Sequence, residues 1–279
     1  MTNTTSKPVL ILGGTGKTGR RLAERLEARN IPVRIGSRSG SPAFDWTDKA
    51  GWAGALEGVG AVYISYYPDL AVPGAAEAVD EFARLAVSHG VRRLVLLSGR
   101  GEPEAQRAEE LVQASGADWT ILRCAWFAQN FSESFLFEPV LAGEVVLPVG
   151  EVKEPFIDAD DIADVAAAVL SEDGHLGEVY ELTGPRLISF PEAVAEIAGA
   201  SGRDIRFVRV PQDAYNAAMA EHGVPADLIW LVNELFTEVL DGRNASLTDG
   251  VQRAIGRAPK DFSIYTAETT AAGVWNLNR

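Results

Sequence analysis

Cysteine, methionine and histidine are scarce in this sequence: of 279 residues, one is cysteine, two are methionine and three are histidine. Cys124 alone can make no intrachain disulfide, and with three histidines it forms no metal-ligand cluster of recognisable spacing, so disulfide-stapled and metal-centred architectures are excluded. No uncharged apolar run approaches the roughly 18 residues of a membrane span. The polar opening MTNTTSKP lacks the apolar centre of a secretory signal. Together these absences predict a cytoplasmic protein with a short loose tail at its start and no membrane association. Positive charge is also in deficit. Lys and Arg number 25 against 39 Asp and Glu, and the net charge of −14 would repel nucleic-acid phosphates over most of the surface. The acidic surplus names no partner, and it leaves room for a homo-oligomer. The chain has no internal repeat and no low-complexity tract.

What is present begins at Pro8, with PVLILGGTGKTGRRLAERL. Val9 to Leu12 is a short aliphatic run suited to a strand buried on both faces. Beyond the glycines, Leu22 and Leu26 fall four apart among charged residues, the pattern of a helix with one apolar face. Between strand and helix stand Gly13, Gly14, Gly16 and Gly19. GKT at Gly16 to Thr18 looks like the tail of a triphosphate-binding loop, but the position five residues before Gly16 is Ile11, inside the strand, so that reading fails. The fit is to G-x-G-x-x-G at Gly14, Gly16 and Gly19, overlapped by G-x-x-G-x-x-G at Gly13, Gly16 and Gly19. Such a turn lets backbone approach a pyrophosphate while the helix N-terminus supplies N–H groups and positive dipole. The pattern predicts a dinucleotide site.

An NAD-selective site would place an acid about 20 residues on, at the end of the second strand. Here IPVRIGSRSGS puts Ser37, Arg38 and Ser39 at that distance. Arg38 offers a planar charged fork for a 2′-phosphate, with Ser37 and Ser39 adding hydroxyls, so the expected cofactor is NADP.

The strand–helix alternation continues. AFDW, ending at Trp46, reads as a short strand, Lys49 to Leu56 as a short helix, and GAVYISYY as a strand. Ala75 to Ser88 reads as a helix, LVLLSG as a strand, Glu102 to Ser115 as a helix and ADWTILRC as a strand. This order predicts an α/β fold with a doubly wound parallel sheet. Ligand should lie across the carboxyl ends of the strands, which lines Gly13 to Gly19, Arg38, Asp45, Ser65, Ser98 and Cys124 along one rim. After about Trp126 the alternation loosens. GEVVLPVG suggests a hairpin, Asp158 or Asp160 can cap a helix through Val169, and VYELTG returns to the sheet. Residues 1–128 are therefore expected to form the dinucleotide-binding core with 155–184 returning to it. Residues 129–154 and 185–279 are expected to form a smaller α+β region covering a small-molecule substrate.

The catalytic chemistry is less legible. A Tyr-x-x-x-Lys pair, in which lysine lowers the tyrosine pKa, would mark an acid catalyst. None of the six tyrosines has a lysine four residues on. Ser98, ending a strand, could stand beside a nicotinamide or simply form a turn. Tyr66 and Tyr67 could face substrate or pack under a loop. WFAQNF, Trp126 to Phe131, should approach the nicotinamide end, where aromatic walls would exclude water, although the rings could equally be core. Asp160 and Asp161 are explained by helix capping.

Taken together, LGGTGKTGRRLAERL, SRSGSPAFDW, GVRRLVLLSG, AEELVQASGADWTILRCAWFAQNF and EPFIDADDIADVAAAVL resemble the NmrA-like group of atypical short-chain dehydrogenases. Within it, GKTG, SRS, FDW, AVYIS and the late DFS are most similar to ergot-alkaloid reductases of the festuclavine synthase and agroclavine dehydrogenase type. The resemblance implies an NADP-binding Rossmann domain and hydride transfer to an iminium carbon. It also implies that Gly13, Gly16 and Gly19 hold pyrophosphate, with turn contacts from Thr15, Lys17 and Thr18. Arg38 would meet the adenosine phosphate, Asp45 and Trp46 would sit by adenine, and Trp126, Phe127 and Asn130 would lie near nicotinamide and substrate. Cys124 stands where the group usually has proline after Arg123. The lysine donor of isoflavone-type reductases is absent, which suits an iminium acceptor because it gains hydride without needing an acid. Two readings follow: an NADPH-dependent reductase of a small planar metabolite (imine or iminium, enone or quinone), or a non-catalytic dinucleotide-binding redox sensor.

Overall fold

The computed structural model describes residues 7–277, so most of the tail expected at the start lies outside the described residues. The chain divides into two compact units. The first comprises Met1–Cys124, Ala159–Leu182 and Gly250–Arg257; the second comprises Ala125–Asp158, Thr183–Asp249 and Ala258–Arg279.

In the first unit, strands β1 (Val9–Leu12), β2 (Val33–Gly36), β3 (Ala61–Ile64), β4 (Arg93–Gly99) and β5 (Asp118–Cys124) join the strand Glu178–Leu182. They form one six-stranded sheet in the order β2-β1-β3-β4-β5-(178–182), parallel throughout. Because successive side chains point to opposite faces, Leu10, Leu12, Val62, Ile64, Leu94 and Leu96 share one buried face. They pack there with Ala55 and Leu56 of helix α2 (Trp52–Leu56), Val79, Phe82 and Ala83 of α3 (Ala75–Ser88) and Ala105, Ala108 and Val112 of α4 (Pro103–Gln113). Helix α1 (Lys17–Ala28) lies alongside the helix Ala159–Ser171. Both ion-pair there, Asp160 with Arg21 (3.2 Å) and Arg25 (2.8 Å), and Asp164 with Arg25 (2.5 Å). Those pairs give Asp160 a role that capping alone did not predict. The chain runs from β1 to β2 on one side and then crosses to β3 on the other, so the strand order reverses at β1 and β3. That reversal opens a crevice at their carboxyl ends.

Three expectations are corrected. AFDW is not a strand: Phe44 and Trp46 pack with Trp52 and Phe82 in an aromatic cluster, and the Trp52 indole N–H donates to Asp45 O (2.9 Å). The segment Glu144–Leu147 forms no hairpin, because it pairs in parallel with Arg206–Arg209. The domain boundaries also differ. Ile157 N–H donates to Trp126 O (2.8 Å) and Ala128 N–H to Ile157 O (2.8 Å), which keeps 125–128 and 155–158 with the second unit. Gly250–Arg257 belongs to the first unit, held by Arg253 to Glu178 (2.5 Å) and by Arg257 to Asp161 (2.6 Å) and Asp164 (2.5 Å). A Cβ on Gly250 would lie 2.1 Å from Glu181 O, so only glycine permits this approach.

The second unit is built on a ring cluster. Phe131 contacts Phe156, Phe190 and Phe262, and Trp275 donates its indole N–H to Phe131 O (3.0 Å). Its helix Phe190–Ser201 starts with a reciprocal cap between Ser189 and Glu192. Among the described residues no helix is long and apolar enough to cross a membrane.

Candidate functional site

The glycine turn lies at the crevice between β1 and β3. Gly13 carries φ +65°, a left-handed conformation that glycine adopts without a Cβ penalty, and its N–H donates to Gly36 O (3.0 Å). Burial sorts the remaining positions. Gly14 and Gly19 are buried, whereas Gly13, Thr15 and Gly16 are exposed. A Cβ on Gly19 would lie 2.3 Å from Gly13 O and 2.7 Å from Gly14 Cα, so this glycine lets α1 close against the turn. A Cβ on Gly16 would meet only Gly13 O within 4 Å, at 3.1 Å. Gly16 is thus restricted little by protein, and its outer side is open to a ligand. Gly16 is also the N-cap of α1, whose first turn contains no acid, so the positive end of the helix is unopposed by a carboxylate of its own first turn. This turn fits a pyrophosphate: exposed backbone, a helix N-terminus and no side chain in the way.

The side chain of Thr18 is engaged within the fold. Its hydroxyl accepts from the buried Tyr63 O–H (3.0 Å), which orients it while its own O–H stays available to donate, and burial pushes the Tyr63 phenol up.

Next to the turn, a Cβ on Gly13 would stand 3.3 Å from Ser65 Oγ, which places Ser65 at the same crevice. The Trp46 indole N–H donates to Ser65 O (3.1 Å), and the Trp46 ring lies 4.8 Å from that of Tyr66. At the end of β2, Arg38 is exposed, with Ser37 and Ser39 flanking it, their hydroxyls 3.4 Å apart. Asp45 accepts from both the N–H and the hydroxyl of Thr47 (2.8 Å each). These bonds, with a smaller contribution from Arg38, lower its pKa. The guanidinium of Arg38 lies 5.9 Å from the centre of the Tyr67 ring. Tyr66 and Tyr67, read as substrate-facing, therefore stand with Trp46 and Arg38, the residues read as the adenosine end.

Ser98 is corrected more sharply. It is 4% exposed and its hydroxyl donates to Glu109 Oε1 (2.6 Å). Glu109 in turn binds Arg123, which also reaches Glu181 (2.9 Å). Ser98 belongs to a buried charge network, and its hydroxyl proton is committed to Glu109. Cys124 is buried, and burial pushes its thiol up, so it is a neutral packing residue.

One feature escaped the sequence reading. Asp69, on the loop after β3, and Glu102, ahead of α4, are hydrogen-bonded carboxyl groups. Burial, then the Asp69 charge and the bond to it, hold the Glu102 carboxyl well above the usual carboxylate range. Burial raises the Asp69 carboxyl as well, and two carboxyls in such contact disfavour a second negative charge. The carboxyl rests on Gly99, where a Cβ would come within 2.0 Å of Glu102 Oε1. Gly99 directly after Ser98 was the available signal, since a glycine ending a strand marks a close approach.

In the second unit Trp126 is half-buried and packs on Phe190 (5.4 Å), Phe236 (5.5 Å) and Phe135 (6.5 Å). Phe127 bridges to Ile157, and Asn130 opens the helix Asn130–Glu133, its N–H donating to Phe127 O (3.1 Å). Phe236 sits on a π-helical turn, Leu235–Val239, and contacts Tyr215 (6.0 Å).

Comparison with known proteins points the same way. A family model described as NAD(P)H-binding matches residues 13–173. Festuclavine synthase I of Penicillium roqueforti is 31% identical over 92% of this chain and 96% of its own length. Prestalk A differentiation protein A of Dictyostelium discoideum is 31% identical over 95% of this chain and 93% of its own. Among solved structures, an NADPH-dependent quinone oxidoreductase of Escherichia coli complexed with NADPH shares the fold. Its TM-score is 0.77 at 22% identity, covering 93% of this chain and 99% of that one.

Proposed function

The chain belongs to the NAD(P)H-binding family of Rossmann-fold oxidoreductases, and from that premise we propose that it is an NADPH-dependent reductase of a small, planar, electron-poor acceptor such as an iminium, an enone or a quinone. The observation that carries the cofactor reading is the pairing of an open glycine turn at the β1/β3 crevice with Arg38, rather than an acid, at the end of β2. Gly13, Thr15, Gly16, Lys17, Thr18 and Gly19 would hold the pyrophosphate. Ser37, Arg38 and Ser39 would hold the adenosine phosphate, with Asp45, Trp46 and Ser65 beside adenosine. The bound reduced cofactor supplies the hydride.

For an acceptor, the proposal rests on Trp126, Phe127 and Asn130. The half-buried Trp126 ring, braced by Phe190 and Phe236, is a face on which a planar or cationic molecule would stack, displacing water as it does so. An iminium becomes neutral on accepting hydride, which agrees with the lack of a tyrosine–lysine pair.

The test is transfer of deuterium from C4-labelled NADPH into product across cyclic iminium salts, enones and quinones. Trp126→Ala, checked for retained fold by circular dichroism, should lower turnover while NADPH affinity stays near that of the wild type. No labelled product from any class, together with a protein partner whose binding follows the cofactor's redox state, would overturn the reductase and leave the sensor.

A further inference from the structure

Arg38 raises a physical difficulty. It is exposed and carries a long side chain with on the order of 2 kcal/mol of rotamer entropy, so a lone fork at the end of β2 would be poorly held for phosphate. One neighbour lies over it. The Tyr67 ring is 71% exposed, and Arg38 sits 5.9 Å from its centre.

The backbone that presents Tyr67 is fixed from behind. Trp46 holds Ser65 O through its indole N–H, Tyr66 packs on the Trp46 ring, and Ser65 borders Gly13. Two consecutive tyrosines thus diverge: Tyr66 turns into the aromatic cluster and Tyr67 out beside Arg38. A ring at this distance attracts a guanidinium and narrows the orientations it samples.

We infer that Tyr67 is a cofactor-specificity residue, which backs the Arg38 guanidinium and presents it to the 2′-phosphate of NADP(H), and is not a wall of the acceptor site. The inference rests on the NADP reading above. Tyr67 acts through Arg38 and is a positioning residue, so its effect must appear with the 2′-phosphate and vanish without Arg38.

Calorimetric titration of wild type, Tyr67→Leu, Tyr67→Phe, Arg38→Ala and the Arg38→Ala/Tyr67→Leu double variant with NADPH and NADH separates the cases. An exposed cation–π contact corresponds to about a 2- to 5-fold change in Kd. Tyr67→Leu should weaken NADPH by that factor and leave NADH unchanged, and Tyr67→Phe should keep NADPH near wild type. In the Arg38→Ala background the leucine should have no further effect. The same loss with and without Arg38, or an unchanged NADPH Kd accompanied by a raised acceptor KM, would overturn the role given to Tyr67 and leave NADP selectivity standing. A wild-type protein that binds NADH as well as NADPH would instead overturn the cofactor reading itself, and the Tyr67 role with it.

Discussion

Gly19→Ala and Gly16→Val should damage the protein in distinguishable ways, although both add carbon to one turn. At Gly19 the new Cβ would lie 2.3 Å from Gly13 O, 2.7 Å from Gly14 Cα and 2.9 Å from Gly13 C, all backbone atoms. Ordinary contact begins at 3.4 Å, so α1 must withdraw by about 1 Å or the turn must distort. Overpacking of this kind costs about 1–3 kcal/mol, and the same movement carries the first-turn N–H groups away from the pyrophosphate. At Gly16 the only close atom is Gly13 O at 3.1 Å, and φ −81°, ψ −176° suits a β-branched residue. Its structural cost is therefore the loss of a good N-cap, within about 1 kcal/mol. Its branched side chain nevertheless stands on the open side where phosphate must approach. Losing one charge-assisted N–H contact there weakens binding by about 10- to 150-fold. Urea denaturation read at constant m-value, paired with NADPH titration, checks both. Gly19→Ala should lower the midpoint and the affinity together, whereas Gly16→Val should keep most of the midpoint and lose the affinity. A Gly16→Val protein with wild-type affinity, or a Gly19→Ala protein with wild-type stability, would refute the roles assigned to these glycines.

Two further outcomes follow from the strand ends. Ser98→Ala removes a buried hydrogen bond to the Glu109 carboxylate and should cost about 1.5–3 kcal/mol in urea unfolding, with NADPH affinity unchanged; a selective loss of affinity would return Ser98 to the cofactor site. Glu102 holds its proton above the range an unfolded carboxyl would, so its contribution to stability is fully present below about pH 4.3 and is lost as pH rises through the elevated folded value. Glu102→Gln stays neutral at every pH and should flatten the decline of the urea midpoint on the alkaline side; identical slopes for variant and wild type would show that Glu102 is ionised in the fold.

The strand–glycine turn–helix unit at the start of the chain was legible because its information is local. A buried aliphatic strand, glycines at fixed spacing and an amphipathic helix occupy one stretch, and the chemistry that sorts those glycines acts within it. The parallel, doubly wound sheet was legible for the same reason, through repeated short strand–helix units. The failures came where a distant partner decides. AFDW has strand-forming residues, but Trp46 and Phe44 gain more from Trp52 and Phe82 than from an edge ladder. GEVVLPVG pairs with a strand some sixty residues later, which nothing within the segment specifies. Ser98 was left open between a place beside nicotinamide and a turn because its burial beside Glu109 depends on α4. The Asp69–Glu102 pair was invisible because one acid lies on a loop and the other at the head of a helix, with nothing in either segment naming its partner.

The short helix Gly250–Ile255 has a consequence for how this protein is made and cut. Its Gly250 meets the backbone of Glu181, Arg253 lies over Tyr180 and pairs with Glu178, and Arg257 pairs with Asp161, whose side chain is fully buried. A ribosome-bound chain cannot finish the first unit until residue 257 has left the exit tunnel, so that unit matures late although its glycine turn is synthesised first. A fragment ending near residue 184 would present Asp161 without Arg257 and leave the edge strand Glu178–Leu182 without the helix that covers it, making it a candidate for strand pairing between chains. Transplanting this unit onto another partner region therefore requires carrying residues 250–257 along as a discontinuous insert.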